Sequence, residues 1–315
     1  MKRPGLKSSM RIALVAALFA GALAAPGSVW ADGIVSKVKS AAKLALKSSS
    51  VLVLDQFSGE VLYGKNPNAV VPIASITKVM TAMVVLDAQL DPDELITVTE
   101  DDVDWLRGSS SRLAVGAVLT RDQMLRLALM ASENRAASAL SRAYPGGRAA
   151  FVAAMNDKAR SLGLQGTRYS DPTGLSSTNV STAEDLATLV ATAHSYPLIR
   201  EYSTSPGLDL QVGRRTVAFH NTNRLVASSG GAIGLSKTGF INEAGRCLVM
   251  QAKLAGRGVI IVLLDSWGKN SRLADAARIR QWIEAAANPV AQPAHRPAAH
   301  KARRVMSASK AARSA

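Results

Sequence analysis

The sequence predicts an α+β protein in which an antiparallel sheet, flanked by helices, lies beside a helical lobe. Apolar runs typical of strands occur at both ends of the central region, and helical spacing of apolar residues fills its middle. Strands that are far apart in sequence are therefore expected to be neighbours in one sheet. With 315 residues, 48% of them hydrophobic and only 4% aromatic, the chain can bury a large core of mostly aliphatic side chains.

The two ends of the chain differ in composition from the region between them. Residues 1–31 contain basic residues, an apolar core and small residues just before a predicted cleavage site that precedes Asp32. This pattern predicts a cleavable signal peptide and a periplasmic location. Residues 32–50 are predicted to be a basic linker and 51–286 the folded domain. Residues 287–315 form a basic tail whose composition, rich in Ala, Pro and Ser, is typical of disorder.

Positive charge is concentrated in these ends. Of the net charge of +15, the signal carries +4, the linker +3 and the tail +6, which leaves about +2 on the domain. A domain so close to neutral is not expected to bind nucleic acid. For the tail two interpretations stay open: loose, salt-screened association with anionic polymers of the cell envelope, or a solubilising segment without a partner.

The elements of the domain follow from local patterns. Two apolar runs around Gly59 predict a hairpin, and the helical spacing after Pro72 puts Ser75 at the start of a helix. Thr120 and the capping-box sequence Ser181–Glu184 predict two more helix starts. The predicted elements are strands at Val51–Asp55 and Val61–Tyr63, helices from Ser75, from Thr120 to Met130, at Ala136–Arg142, at Arg148–Leu162 and from Ser181 to Ala193, a turn at Asp171–Leu175, strands at Ala232–Gly239, Arg246–Leu254 and Val259–Leu264, and a closing helix at Ser271–Ala286.

The first candidate for chemistry is the pair Ser75 and Lys78. On a helix, residues three apart lie on the same face, so an amine would lie beside a hydroxyl. A serine hydroxyl is a weak nucleophile near neutral pH and needs a base within hydrogen-bond reach, a role that lysine can fill once its pKa is lowered. Ser-x-x-Lys occurs at four other places in this chain, so the pattern carries little weight alone.

Three short motifs in order make the assignment specific. They are Ser75-x-x-Lys78, Ser132-Glu133-Asn134 and Lys237-Thr238-Gly239, the last of which occurs once. The set resembles the signature of active-site-serine penicillin-binding proteins and serine β-lactamases. The surrounding residues, together with Asp171–Leu175, are most similar to the low-molecular-mass D,D-peptidases, and within them to the penicillin-binding protein 7 group of D-alanyl-D-alanine endopeptidases. The resemblance covers about residues 50–286.

The resemblance implies a β-lactamase/D,D-transpeptidase-like fold with the site between sheet and helical lobe. It also implies an acyl-enzyme mechanism on peptidoglycan peptide stems, with β-lactam antibiotics as covalent inhibitors. Ser75 would attack a D-alanine carbonyl and Lys78 would be the base. Ser132 would relay a proton to the leaving amine, and Asn134 would hold the amide on the acyl side of the substrate.

The third motif takes its expected roles from the same resemblance. Lys237 would add positive potential that keeps Lys78 neutral and attracts anionic substrate. Thr238 would bind the carboxylate next to the scissile bond, and Gly239 would let the backbone approach the substrate closely. The backbone N–H groups of Ser75 and Phe240 would form the oxyanion hole.

Several alternatives remain open or are disfavoured. The middle residue of the second motif is Glu133, whereas Asp or Gly is commoner across the superfamily. A glutamate at this position matches the endopeptidase group. A class A β-lactamase is disfavoured because no Glu-x-x-x-Asn sequence lies between Asn134 and Lys237. A D-alanyl-D-alanine carboxypeptidase stays a close rival, and an inactive envelope-polymer-binding protein is a weaker one. No metal or cofactor is expected, because Cys247 is the only cysteine and the four histidines lack metal-ligand spacing.

Overall fold

A computed structural model describes residues 44–287. The strands are β1 (Ser48–Asp55), β2 (Val61–Lys65), β3 (Val71–Pro72), β4 (Leu95–Thr97), β5 (Val118–Thr120), β6 (Val180–Ser181), β7 (Gly207–Val212), β8 (Arg215–His220), β9 (Ile233–Ile241), β10 (Gly245–Leu254) and β11 (Arg257–Ser266). The helices are α1 (Lys78–Asp87), which follows a 3₁₀ turn at Ala74–Thr77, α2 (Arg121–Met130), α3 (Asn134–Arg142), α4 (Gly147–Ser161), α5 (Ala183–Ala193), α6 (Pro197–Thr204), α7 (Leu225–Ser228) and α8 (Ser271–Ala287).

Five strands form one antiparallel sheet in the order β2-β1-β11-β10-β9. The first strand of the domain thus pairs with the last, with Val53 opposite Ile261. Helices α1 to α6 lie between these strands in sequence and form the helical lobe. The predicted α+β architecture, with sequence-distant strands side by side, is confirmed.

The sheet separates two hydrophobic clusters. Side chains alternate between the two faces of a strand, so Leu52 of β1 joins the cluster shared with the helical lobe, whereas Val51 and Val53 pack towards α8. Helix α1 is buried along nearly its whole length, from Lys78 to Val85. Because its neighbours pack around it on all sides, α1 is a rigid support for the residues at its start.

The strand β1 begins at Ser48, ahead of the predicted domain start at Val51. The buried carboxylate of Asp275 in α8 explains this, since it accepts hydrogen bonds from the backbone N–H and the hydroxyl of Ser48, each at 2.8 Å. Such an anchor leaves no mark in the strand pattern. The predicted signal, most of the linker and the tail after Ala287 lie outside the described residues.

The other differences from prediction lie in the lobe. No element is predicted for residues 195–231, yet α6, the β7–β8 hairpin and α7 occur there. Helix α5 is capped by Thr182, whose Oγ1 accepts from the backbone N–H of Asp185 at 3.0 Å, and not by Ser181 as its motif suggests. Within residues 44–287, no helix has both the length and the apolar character needed to cross a membrane.

Candidate active site

Ser75 and Lys78 lie side by side at the start of α1. Lys78 Nζ is 3.0 Å from Ser75 Oγ. Ser75 belongs to the 3₁₀ turn and Lys78 is the first residue of α1, so one helical turn separates them, as the spacing predicts. The chain enters this turn through Ala74 with φ +48°, a left-handed conformation that is uncommon outside glycine. Such strain is typical of functional sites.

Lys78 makes two further hydrogen bonds, both to carbonyl oxygens. Its Nζ donates to Oδ1 of Asn134 and to the backbone carbonyl of Thr173, each at 2.7 Å. A carbonyl oxygen only accepts, so each of these bonds uses one N–H of the amine. In the neutral amine the remaining position is a lone pair, and it points to the Ser75 hydroxyl. The arrangement is therefore suited to proton transfer from Ser75 to Lys78.

Burial favours the neutral form of the Lys78 amine. The Lys78 side chain is fully buried, and this burial lowers its pKa to about 8, although the nearby carboxylates of Asp171 and Glu133 favour the charged form. Lys237 is buried as well, and burial followed by repulsion from Lys78 holds the pKa of Lys237 well below its ordinary value. The dominant cause at Lys78 is thus loss of hydration and not the positive charge of Lys237.

The turn at Asp171–Leu175 supplies one of these carbonyls. The Asp171 carboxylate accepts from the backbone N–H groups of Thr173 at 2.6 Å and Gly174 at 2.7 Å. This holds the turn so that the Thr173 carbonyl faces Lys78. Gly174 has φ +80°, and a Cβ there would come within 2.0 Å of the carbonyl oxygen of Ala74. Only glycine therefore allows the turn to pack against Ala74, the residue before Ser75.

The second motif occupies the turn between α2 and α3. Ser132 has φ +59°, and its Oγ accepts a hydrogen bond from Lys237 Nζ at 2.7 Å. Glu133 caps α3 by accepting from the backbone N–H of Arg135 and is bound by the Ser111 hydroxyl at 2.6 Å. A longer acidic side chain at this position thus joins the turn to the segment before α2.

The amide of Asn134 is oriented from both sides. Its Oδ1 accepts from Lys78, as described, and its Nδ2 donates to Ser109 Oγ at 2.9 Å. The amide assignment is consistent, since each end meets a group of the complementary kind. Asn134 therefore links the amine of the first motif to the segment that precedes α2.

The third motif lies on β9, the edge strand of the sheet. Thr238 Oγ1 donates to Thr222 Oγ1 at 2.7 Å. A Cβ on Gly239 would lie 2.9 Å from the carbonyl oxygen of Ile73 and 3.1 Å from the backbone nitrogen of Ser75, so only glycine lets β9 pass this close to Ser75. The Phe240 ring is 50% exposed beyond it.

The structure brings the three motifs together in one cleft, in two hydrogen-bonded groups. One contains Ser75, Lys78 and Asn134, and the other contains Ser132 and Lys237. Among the described residues no hydrogen bond joins the two groups directly. Gly239, packed against Ser75, and the turn that carries both Ser132 and Asn134 hold them side by side.

Four contributors to the site are missing from the predicted set. They are Ser109, the carbonyl of Thr173, Thr222, and Arg272 in α8, whose Nη1 donates to the Gly239 carbonyl at 2.7 Å. Burial lowers the pKa of Arg272 to about 10. The DPTG sequence of the Asp171 turn was the one local signal for any of them. In the described part of the chain no cluster of His, Cys, Asp and Glu has the make-up of a metal site.

Comparison with known proteins identifies the family. A family model described as D-alanyl-D-alanine carboxypeptidase matches residues 37–268. The chain is 50% identical over 256 residues to a D-alanyl-D-alanine endopeptidase of Pseudomonas aeruginosa. This alignment covers 80% of this chain and 83% of the relative. It is 44% identical over 265 residues to a D-alanyl-D-alanine endopeptidase of Escherichia coli. That alignment covers 83% of this chain and 85% of the relative.

A solved structure supports the same conclusion. The Streptomyces K15 DD-transpeptidase superposes with a TM-score of 0.72 at 29% identity, over 78% of this chain and 100% of that chain. The β-lactamase/D,D-transpeptidase-like fold is therefore confirmed, as is the resemblance to the low-molecular-mass D,D-peptidases and their penicillin-binding protein 7 group. The chain belongs to the D-alanyl-D-alanine carboxypeptidase family of serine peptidases.

Proposed function

We propose that this chain is a serine D,D-endopeptidase that hydrolyses D-alanyl cross-links of peptidoglycan through an acyl-enzyme. The observation that carries the proposal is the 3.0 Å contact between Lys78 Nζ and Ser75 Oγ, with both other hydrogen bonds of Nζ made to carbonyls. The family supplies the D-alanyl substrate class. Two relatives named endopeptidases favour cross-links over free stem ends.

Acylation begins with Ser75. Lys78, as the neutral amine, takes the hydroxyl proton while Ser75 Oγ attacks the carbonyl carbon of D-alanine. The carbonyl oxygen becomes an oxyanion, which the backbone N–H groups of Ser75 and Phe240 stabilise. When the tetrahedral intermediate collapses, the C–N bond breaks and the leaving amine receives the proton by way of Ser132. Water then attacks the ester, releases the stem with a D-alanine carboxylate and restores the Ser75 hydroxyl.

The remaining residues bind and position the substrate. Asn134 holds the amide on the acyl side. The paired hydroxyls of Thr238 and Thr222 receive the carboxylate on the D-centre beside the scissile bond, and Lys237 contributes its N–H donors and positive potential there. Gly239 lets β9 run close to the substrate backbone, which can add to this edge strand as a further strand.

β-Lactam antibiotics fit the same chemistry as covalent inhibitors. Attack by Ser75 opens the lactam ring, but the leaving nitrogen stays attached to the acyl group and does not diffuse away. It blocks the approach of water, so we expect a long-lived acyl-enzyme. Secretion into the periplasm with removal of residues 1–31, and loose association of the tail 287–315 with envelope polymers, complete the proposal.

The test compares two purified substrates. The enzyme is incubated separately with a cross-linked muropeptide dimer and with a monomeric pentapeptide, and the products are followed by chromatography and mass. We expect the dimer to be cut into monomers faster than D-alanine leaves the pentapeptide, and Ser75→Ala to do neither. Release of D-alanine with the dimer untouched would identify a carboxypeptidase instead.

A further inference from the structure

Arg107 joins the two sides of the cleft. Its Nε donates to the carbonyl of Leu175 at 2.5 Å. Its two terminal nitrogens face the two carboxylate oxygens of Glu243, each at 3.0 Å. Arg107 lies in the segment of the helical lobe that also carries Ser109, the partner of Asn134. Glu243 lies in the turn between β9 and β10, so the ion pair runs from lobe to sheet.

The position along β9 assigns this pair to the acyl end of the cleft. The strand passes from Thr238, which we propose binds the carboxylate on the leaving side, to Phe240 at the oxyanion hole and then to the turn with Glu243. Each strand residue advances about 3.3 Å, so Glu243 lies beyond the oxyanion position on the acyl side. Leu175, the other partner of Arg107, borders a cavity of about 670 Å³ that opens beside Asn134.

The two partners are held very differently. The Asp104 carboxylate accepts from the backbone N–H groups of Leu106, Arg107 and Ser109, each at 3.0 Å, which fixes the backbone of Arg107. The Arg107 side chain is only 22% exposed, whereas that of Glu243 is 47% exposed at the tip of a turn. Glu243 can therefore swing into water at little cost, since exposed ion pairs are weak. Arg107 cannot leave with it, and its forked edge would then face the cleft.

We propose that Arg107 is a specificity residue that binds a carboxylate of the acyl-side peptide stem, and that Glu243 occupies the same edge of the guanidinium until substrate displaces it. The planar fork of an arginine can match a carboxylate with two parallel hydrogen bonds, and in the contact with Glu243 each terminal nitrogen of Arg107 already lies 3.0 Å from a carboxylate oxygen. The inference rests on the proposed function, because only a peptide stem carries such a carboxylate into this end of the cleft. Two stem groups have this chemistry: the side-chain carboxylate of diaminopimelate and the α-carboxylate of γ-linked glutamate.

The test uses three cross-linked dimers that differ only on the acyl side. One has both carboxylates free, one has the diaminopimelate carboxylate amidated, and one has the glutamate carboxylate amidated. For wild-type enzyme we expect kcat/KM to fall about tenfold or more on one amidated dimer, mainly through KM, and that dimer identifies the source of the carboxylate. Arg107→Gln should bring the ratio of kcat/KM between free and amidated dimers close to one.

The variant Glu243→Gln separates exchange from simple bracing. Removing the internal competitor should lower KM for the free dimer and raise the preference ratio, opposite to the effect of Arg107→Gln. If the ion pair only braced the cleft, both variants would lower kcat/KM together and leave the ratio unchanged, which would overturn the proposal. Arg280→Gln and Glu284→Gln, which break an exposed ion pair on α8, are the matched controls and should not move the ratio.

Penicillin acylation of Ser75 keeps this test independent of folding and of the proposed function. Each variant is normalised to its acylated fraction, and its melting temperature is recorded. If Arg107→Gln does not fold, the wild-type ratios and Glu243→Gln still decide the question. Equal turnover of all three dimers by acylation-competent wild type would refute the role of Arg107 alone. Wild type that neither acylates nor cuts any dimer would refute the proposed function.

Discussion

The protonation state of Lys78 should set the pH dependence of Ser75 acylation. The Lys78 amine must be neutral to accept a proton, so the rate rises as pH passes upwards through the pKa of Lys78. With a pKa of about 8 in the folded protein, about one tenth of the molecules carry the neutral amine at pH 7 and about nine tenths at pH 9. The second-order acylation rate should therefore increase roughly tenfold between these values and then level off.

The assay is the rate of labelling by a fluorescent penicillin, measured by stopped flow from pH 6 to pH 10. Lys78→Arg keeps the positive charge but cannot lose its proton, so it should acylate ~10²–10⁴-fold more slowly at every pH. Lys158→Arg, a matched change at a lysine paired with Asp87 outside the site, should follow the wild-type curve. A flat profile for wild type, or near wild-type acylation by Lys78→Arg, would refute Lys78 as the base.

Three further outcomes are expected. Ser75→Ala should abolish penicillin labelling and dimer cleavage together, and a labelled peptide that maps to another serine would contradict the assignment. Asp275→Ala should lower the melting temperature by roughly 6–12 °C, because a loss of ~3 kcal/mol follows when the buried donors of Ser48 lose their carboxylate; an unchanged melting temperature in calorimetry would show that the anchor is dispensable. Deleting 287–315 should leave turnover of small soluble substrates unchanged and weaken retention on isolated sacculi at low salt, whereas equal retention across a salt series would support a tail without a partner.

The sequence predicts those parts of the site that consist of side chains a few residues apart in the chain. Ser75 and Lys78 are one helical turn apart, so their contact follows from periodicity alone. The other motifs are recognised by order and resemblance, and the structure brings them to the same cleft. The carbonyl of Thr173 has no side-chain signature, and Ser109 is one of several serines in a polar loop. Arg272 reaches Gly239 only because α8 packs on the sheet, a relation that no local pattern contains.

For the fold, too, the elements with a strong local sequence pattern are predicted and the others are not. The apolar runs of β1, β10 and β11 are buried on both faces of a sheet and stand out in the sequence. The β7–β8 hairpin shows only weak alternation of apolar and polar residues, because most of its positions are exposed or half-buried. The turn between its strands contains Gly213 at φ +59°, but one glycine in a polar stretch is too weak a signal, and no hairpin is predicted there.

The strand order has a consequence for how the enzyme is made. β11 is the central strand of the sheet, yet it is the last to leave the ribosome. Until it appears, β1 lacks its main partner, and β9 has no completed sheet to hold Lys237 beside Ser132 and Gly239 against Ser75. Pairings between such distant segments form late in folding. A nascent or truncated chain therefore carries Ser75 without the assembled cleft, and we expect hydrolytic activity to arise only when the domain is complete.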